Sequence, residues 1–249
     1  MSERGFDPIP ATRPLARPRM AFALSLAIFV LPVLFVLVTP HPLEQPFGVD
    51  ATLYRDVTLR WLHGGPFYDP RQLAGPYEIA AGDVLYPPFA LVLFVPFAVL
   101  PMAIGALLWW TIPIAITAWA VRTLRPRPEA WPLIALCIAN PTTLLKTWTG
   151  NPVIWSMAAL ALGVIYAWPS VFVLVKPSLA PFALFGAWRR SWWVAAAAVA
   201  LASVPFGGLW ADWAASIVNS RGGGALYSAL EIPMLLLPLV AWLGRTRRR

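Results

Sequence analysis

One cysteine, two histidines and few charges make up the chemically reactive stock of this chain, and each shortage removes a class of protein. A single cysteine, Cys137, allows no disulfide within the chain. His41, His63, that one cysteine in an apolar run and the scattered acids show no metal-ligand spacing, and no D-x-D pair occurs in the polar loop. No bound metal is therefore expected, and the chain is read as working without a cofactor. Charged residues make up 12% of the chain, where a soluble domain carries about 25%. Lysine is nearly absent, with Lys146 and Lys176 the only two.

What is abundant is apolar surface: 59% of the residues are hydrophobic and the mean hydropathy is +0.67. The excess is spread over many segments, and a helix needs about 20 residues to cross a hydrocarbon core. This composition reads as an all-α polytopic membrane protein, and fourteen tryptophans suit the membrane–water interface. The net charge of +8 invites a nucleic-acid reading. The bases instead gather at segment ends: Arg13, Arg17 and Arg19; Arg122, Arg125 and Arg127; Arg189 and Arg190; Arg245 and Arg247 to Arg249. That is the pattern of anchors facing an anionic cytoplasmic leaflet, with membrane lipids and not nucleic acid as the partner. No small-residue cleavage site follows the first apolar run, which is read as an uncleaved span.

The apolar segments are 20–38, 84–102, 103–121, 131–145, 152–167, 168–188, 192–210 and 225–243, giving a bundle of about eight transmembrane helices. Taken as simple spans, they strand Arg122, Arg125 and Arg127 on the outer face, against the positive-inside bias. A second arrangement repairs this. Pro87, Pro88, Pro96 and Pro101 make 84–102 a juxtamembrane or re-entrant helix on the outer side, and 168–188 becomes a hairpin broken at Lys176–Pro177. Both termini, the basic stretches 1–19 and 244–249, then lie in the cytoplasm. Residues 20–249 form a single transmembrane domain, with 41–102 as its outer loop and juxtamembrane helix. Both lysines fall on the outer side.

Residues 41–86 hold six of the eleven acids, namely Glu44, Asp50, Asp56, Asp69, Glu78 and Asp83. A chain that only spans has no reason to concentrate carboxylates in one loop. Asp50 stands just after the first span and shares a helix face with Tyr54 at i, i+4, with Arg55 beside it. Such a carboxylate can take a proton from a substrate hydroxyl, or it can simply cap a helix. Gly64-Gly65 and Tyr68-Asp69-Pro70 are turn signals. His63 is an anion or metal contact, or a solvated loop side chain. Lys176, an ionisable group inside an apolar segment, is a functional candidate, against the alternative of snorkelling to the interface. Snorkelling is the simpler reading for Lys146. Glu231, early in the last span, is placed to pair with a base that the sequence does not identify.

These pieces line up with a family. Asp50 after the first span, then Y…G-G-x-x-Y-D ending at Tyr68-Asp69, then Y-P-P-F from Tyr86, resemble the GT-C glycosyltransferases. The nearest likeness is to glycosyltransferase family 87, the bacterial α-mannosyltransferases dependent on polyprenol-phosphate-mannose. N140-P-T-T-L-L-K-T-W-T-G-N resembles that family's N-P…G-Q-x-N stretch, with Asn151 standing where Gln is usual. V173-L-V-K-P-S-L-A-P-F…W-R-R-S-W-W resembles its L-K-P…P…R-R-x-W stretch. The likeness covers roughly residues 45–193, in a chain shorter than typical members. It implies a GT-C-like bundle at the bacterial plasma membrane, with its active site on the outer face. The donor would be a polyprenyl-phosphate sugar, with mannose expected, and the acceptor a glycolipid or glycan. Asp50 would be the general base of an inverting transfer, and Lys176, Arg55 and Lys146 would contact the donor phosphate. Tyr54, His63, Tyr68, Tyr86 and Asn151 would line the substrate loop. Two other classes would use similar contacts without a base. One is a flippase-like transporter of lipid-linked sugar, which should show internal repeats that the sequence lacks. The other is a non-catalytic subunit of an envelope complex.

Overall fold

The structure, a computed structural model, describes residues 18–38, 45–80, 82–221 and 229–246. Arg13, Arg17, His41, Glu44 and Arg247 to Arg249 lie outside the described residues. The fold is all-α. It begins with α1 (Pro18–Val38), α2 (Val49–Leu62) and the short α3 (Pro70–Ala74). After a 3-10 turn, Pro88–Ala90, come α4 (Leu91–Ala98), α5 (Met102–Leu124), α6 (Trp131–Ala139), α7 (Pro141–Thr149) and α8 (Val153–Tyr166). Two 3-10 segments, Trp168–Val175 and Pro177–Leu179, lead to α9 (Ala180–Ala183). The chain closes with α10 (Arg190–Ser203), α11 (Gly207–Asn219) and α12 (Ile232–Leu243). One parallel pair of two-residue strands joins β1 (Tyr77–Glu78) to β2 (Ser220–Arg221).

Among the described residues two helices are long and apolar enough to cross a membrane: Met102–Leu124, and Arg190–Asn219, in which α10 and α11 run on through a 3-10 turn. A third is reached if α7 and α8, bent by 112° at Gly150–Pro152, count as one broken span. The expectation of about eight spans is therefore not met among the described residues. Hydropathy counts apolar residues whatever their backbone, but prolines remove helix hydrogen bonds and start new turns. Thus 84–102 yields only the short helix Pro88–Ala98, while 131–145 breaks at Asn140–Pro141. The stretch 168–188 is 3-10 over most of its length, with its break at Lys176 as the sequence suggests. The segment expected at 192–210 extends instead over Arg190–Asn219, and only 6% of its apolar window is buried. Leu201, Val204 and Val218 are each about 70–80% exposed on that helix, the reverse of a soluble amphipathic helix.

The centre of the molecule is α8, buried nearly all round through Val153, Ile154, Ser156 to Ala161, Gly163 and Val164. Its alanines and Gly163 let neighbours approach closely, as small residues do in membrane bundles. A Cβ on Gly163 would lie 2.7 Å from Ser170 Cβ, so the 168–175 segment rests directly on this helix. On its other sides α8 meets α5 and α12.

The molecule has two chemically different ends. At one, Thr246 bonds to the Arg125 carbonyl (N···O 3.2 Å) and the Arg127 amide donates to Gly244 (2.9 Å). Phe185 packs on both Trp242 and Trp188, which brings Arg189 and Arg190 to the same end. Pro18 shares a pocket with Pro128, which adds Arg19. The polar loop sits at the other end. Arg71 pairs with Asp83, and the Tyr77 hydroxyl and Asn219 amide tie the loop to the end of α11 (2.9 and 3.0 Å). From Trp109 to Arg125, α5 rises about 24 Å at 1.5 Å per residue. Single cysteines introduced at Arg125 and Arg189 in a Cys137→Ala background should react with an impermeant thiol reagent from one face of the membrane. A cysteine at Glu78 should react from the other, and labelling of all three from one side would refute this arrangement.

Candidate active site

The site is assembled by the way α7 ends. Asn140 caps its start, accepting from the Thr142 amide at 3.0 Å, with Pro141 in the first turn where a missing N–H costs nothing. At its other end Gly150 takes a left-handed conformation (φ 72°). The Gly150 amide then donates to the Thr147 carbonyl (3.2 Å) and the Asn151 amide to that of Lys146 (2.9 Å). This paired closure is a Schellman motif, and it sets Lys146, Thr149 and Asn151 around one turn.

Against that turn lies the start of α2. The Gly48 amide donates to the Trp148 carbonyl at 3.0 Å, and Phe47 packs on Trp110 and Trp148. Trp109 and Trp110 on α5 donate their indole N–H groups to the Gly150 and Thr147 carbonyls (2.8 and 2.6 Å). Asp50 is thereby held over α7, and its Oδ2 accepts from Thr149 Oγ1 at 2.9 Å and Asn151 Nδ2 at 2.8 Å. The capping alternative for Asp50 is not what the fold uses: the cap of α2 is Gly48, without a side-chain bond, and Asp50 lies in the first turn. A carboxylate there is favoured by the positive end of the helix dipole.

Behind Asn151 is a buried polar chain. Its Oδ1 accepts from Tyr86 Oη (3.1 Å), the Val153 amide (3.1 Å) and Lys176 Nζ (3.3 Å). Lys176 is fully buried, and its ammonium lies 2.6 and 2.5 Å from the two oxygens of Glu231. Lys146 reaches the same carboxylate at 3.5 Å and keeps 30% of its side chain exposed. The base that Glu231 pairs with is thus both lysines at once.

The structure gathers Asp50, Lys146, Asn151, Tyr86 and Lys176 into one cluster, while the other candidates fall elsewhere. Arg55 is half-buried and lines an apolar cavity of about 120 Å³ with Phe47, Tyr54, Phe94, Trp109 and Trp110. Its Nε is buried without a hydrogen-bond partner among the described residues, and its nearest acid is the neighbouring Asp56 at 3.7 Å. Tyr54 packs its ring on Phe94 and Tyr86. Tyr68 is buried and donates to the Tyr86 carbonyl at 2.8 Å. Burial, then the charge of Asp212, pushes its phenol well above the ordinary value, so it stays a donor and braces the Y-P-P-F turn. His63 ends α2, exposed and bonded to the Leu59 carbonyl. It stands about 20 Å along the helix from Asp50, because α2 continues unbroken between them. Thr149 was not singled out by sequence; its place directly before Gly150-Asn151 is the signal that could have found it.

Gly150 carries two constraints at once. Besides its left-handed φ, a Cβ there would sit 2.6 Å from Trp110 and 2.8 Å from Ala51 Cβ. Gly150→Ala should therefore lower unfolding free energy by at least about 2 kcal/mol in detergent micelles. An unchanged denaturation midpoint would show that the α2–α7 contact is not tight.

Comparison of the chain with protein-family models, with curated proteins and with solved structures gives no match.

Proposed function

We propose that the chain is a membrane glycosyltransferase that moves a sugar, mannose by the motif likeness, from a polyprenyl-phosphate donor to a hydroxyl of a glycolipid or glycan. In this reading it is a GT-C-like protein of the bacterial plasma membrane. Both termini are cytoplasmic and the Asp50 end faces outward, which puts the arginine-rich end inside. The observation that carries the reading is the oriented Asp50 carboxylate. Thr149 and Asn151 hold Oδ2, and among the described residues Oδ1 accepts no hydrogen bond. Oδ1 is the atom left to take a proton.

The acceptor oxygen attacks the anomeric carbon while its proton passes to Asp50 Oδ1. The bond from that carbon to the phosphate oxygen breaks, and the polyprenyl phosphate leaves with the electron pair. A single displacement inverts the anomeric centre, with the acceptor in the place water takes in an inverting glycosidase. The partly exposed Lys146 is the cation suited to the leaving phosphate, a fixed charge where negative charge develops. The apolar cavity beside α2 suits the first prenyl units, with the Arg55 guanidinium at its wall. Lys176, fully buried against Glu231, would reach a phosphate only if that pair opened.

Transfer from labelled polyprenyl-phosphate-mannose in membranes expressing the protein tests this reading. A positioned base contributes about 10²–10⁴-fold, so Asp50→Asn should lose that much turnover while the protein stays folded. Lys146→Met should raise the donor KM about tenfold or more, the loss of one charged hydrogen bond. Turnover near wild type in Asp50→Asn would remove Asp50 from the chemistry. It would favour a transporter or an assembly subunit.

A further inference from the structure

The buried ion pair behind the site asks for an explanation. Lys176 and Glu231 are 0% and 2% exposed. Withdrawing two charges from water costs about as much as their attraction returns, so such a pair contributes little net stability. Its position suggests another use. Asn151 Oδ1 faces three donors, from Tyr86, the Val153 amide and Lys176. The reversed amide would turn its NH₂ toward all three and leave none of them an acceptor. The three donors thus settle which way the amide points, and the remaining group, Nδ2, is aimed at Asp50 Oδ2 at 2.8 Å. Lys176 in turn is anchored by both oxygens of Glu231, 55 residues away along the chain.

We infer that Lys176 and Glu231 are positioning residues for Asp50: Glu231 fixes the Lys176 ammonium, Lys176 fixes the Asn151 amide, and the amide fixes the carboxylate. This rests on the transferase reading and divides the work of the two lysines. Lys146, partly exposed, faces the donor phosphate. Lys176, sealed beneath Asn151, acts only through its neighbours.

The same energetics supply a test in which the variant keeps its fold. Removing one partner would strand a buried charge, whereas Lys176→Met with Glu231→Leu removes both and leaves Lys146 within reach of water. The full-length double variant, in micelles with polyprenyl-phosphate-mannose as donor, should keep a thermal midpoint near wild type and a donor KM no higher than wild type, since losing Glu231 releases Lys146 toward the phosphate. Its kcat should fall about 10²-fold, the scale of a reacting group displaced by about 1 Å. Tyr86→Phe deletes one donor to Asn151 Oδ1 and leaves the ring and the ion pair in place. It should lower kcat by a smaller factor, at constant KM, and it carries the test alone if the double variant does not fold. Wild-type kcat in either variant overturns the inference. A raised donor KM at constant kcat in the double variant also overturns it, since Lys176 would then be a phosphate contact. Absence of transfer by the wild-type protein is the separate result that defeats the transferase reading, and the positioning role falls with it.

Discussion

Where α7 ends, Gly150 turns left-handed with Trp110 and Ala51 pressed against the place a Cβ would occupy. The arrangement of the loop end depends on this contact. The turn sets Lys146, Thr149 and Asn151 side by side, and the two indoles of α5 hold its carbonyls. Because no side chain intervenes, α2 comes close enough for Asp50 to meet a hydroxyl and an amide from α7. A single residue without a Cβ thus links backbone conformation, helix packing and the orientation of a carboxylate.

The polar interior of this end is small and closely matched. Asp50, Lys146, Lys176 and Glu231 contribute two charges of each sign, and the neutral Asn151, Thr149 and Tyr86 lie between them. Such a group is costly to bury unless each member is satisfied. Here the amide of Asn151 does most of the matching, since it alone offers both an oxygen for donors and N–H groups for a carboxylate. The aromatic shell of Tyr54, Phe94 and Trp109 encloses the other side of α2. It forms the apolar cavity that Arg55 borders, while Asp50 faces the polar turn of α7.

Seen along its length, the molecule has one end rich in arginine and another where acids and bases mix. Arg19, Arg122, Arg125, Arg127, Arg189, Arg190 and Arg245 gather at one end, tied together by the Arg125–Thr246 and Arg127–Gly244 contacts. The acids of the loop and both lysines gather at the other. Two helices long and apolar enough to cross a membrane join them, and Arg190–Asn219 is about 45 Å long at 1.5 Å per residue, more than the roughly 30 Å of a hydrocarbon core. Its end reaches the loop through Asn219 and the short β1–β2 pairing, so the long exposed helix also braces the site.

Much of this was legible in the chain because it depends on near neighbours. The apolar excess, the polar island at 41–86, Asp50 and Tyr54 on one helix and the break at Lys176–Pro177 follow from hydropathy, spacing and the geometry of proline. What the chain did not disclose depends on residues far apart in sequence. Thr149 meets Asp50 across 99 positions, and Glu231 meets Lys176 across 55. The number of long helices is not legible in hydropathy either, since apolar content says nothing about whether prolines let a run continue as one helix. His63 lies outside the site because α2 runs unbroken from Val49 to Leu62 and carries it away. The sequence by itself determined which segments seek an apolar medium and which turns they make, because those are local preferences. Only the tertiary structure decided which polar groups satisfy one another, because a buried charge takes whatever partner the packing delivers.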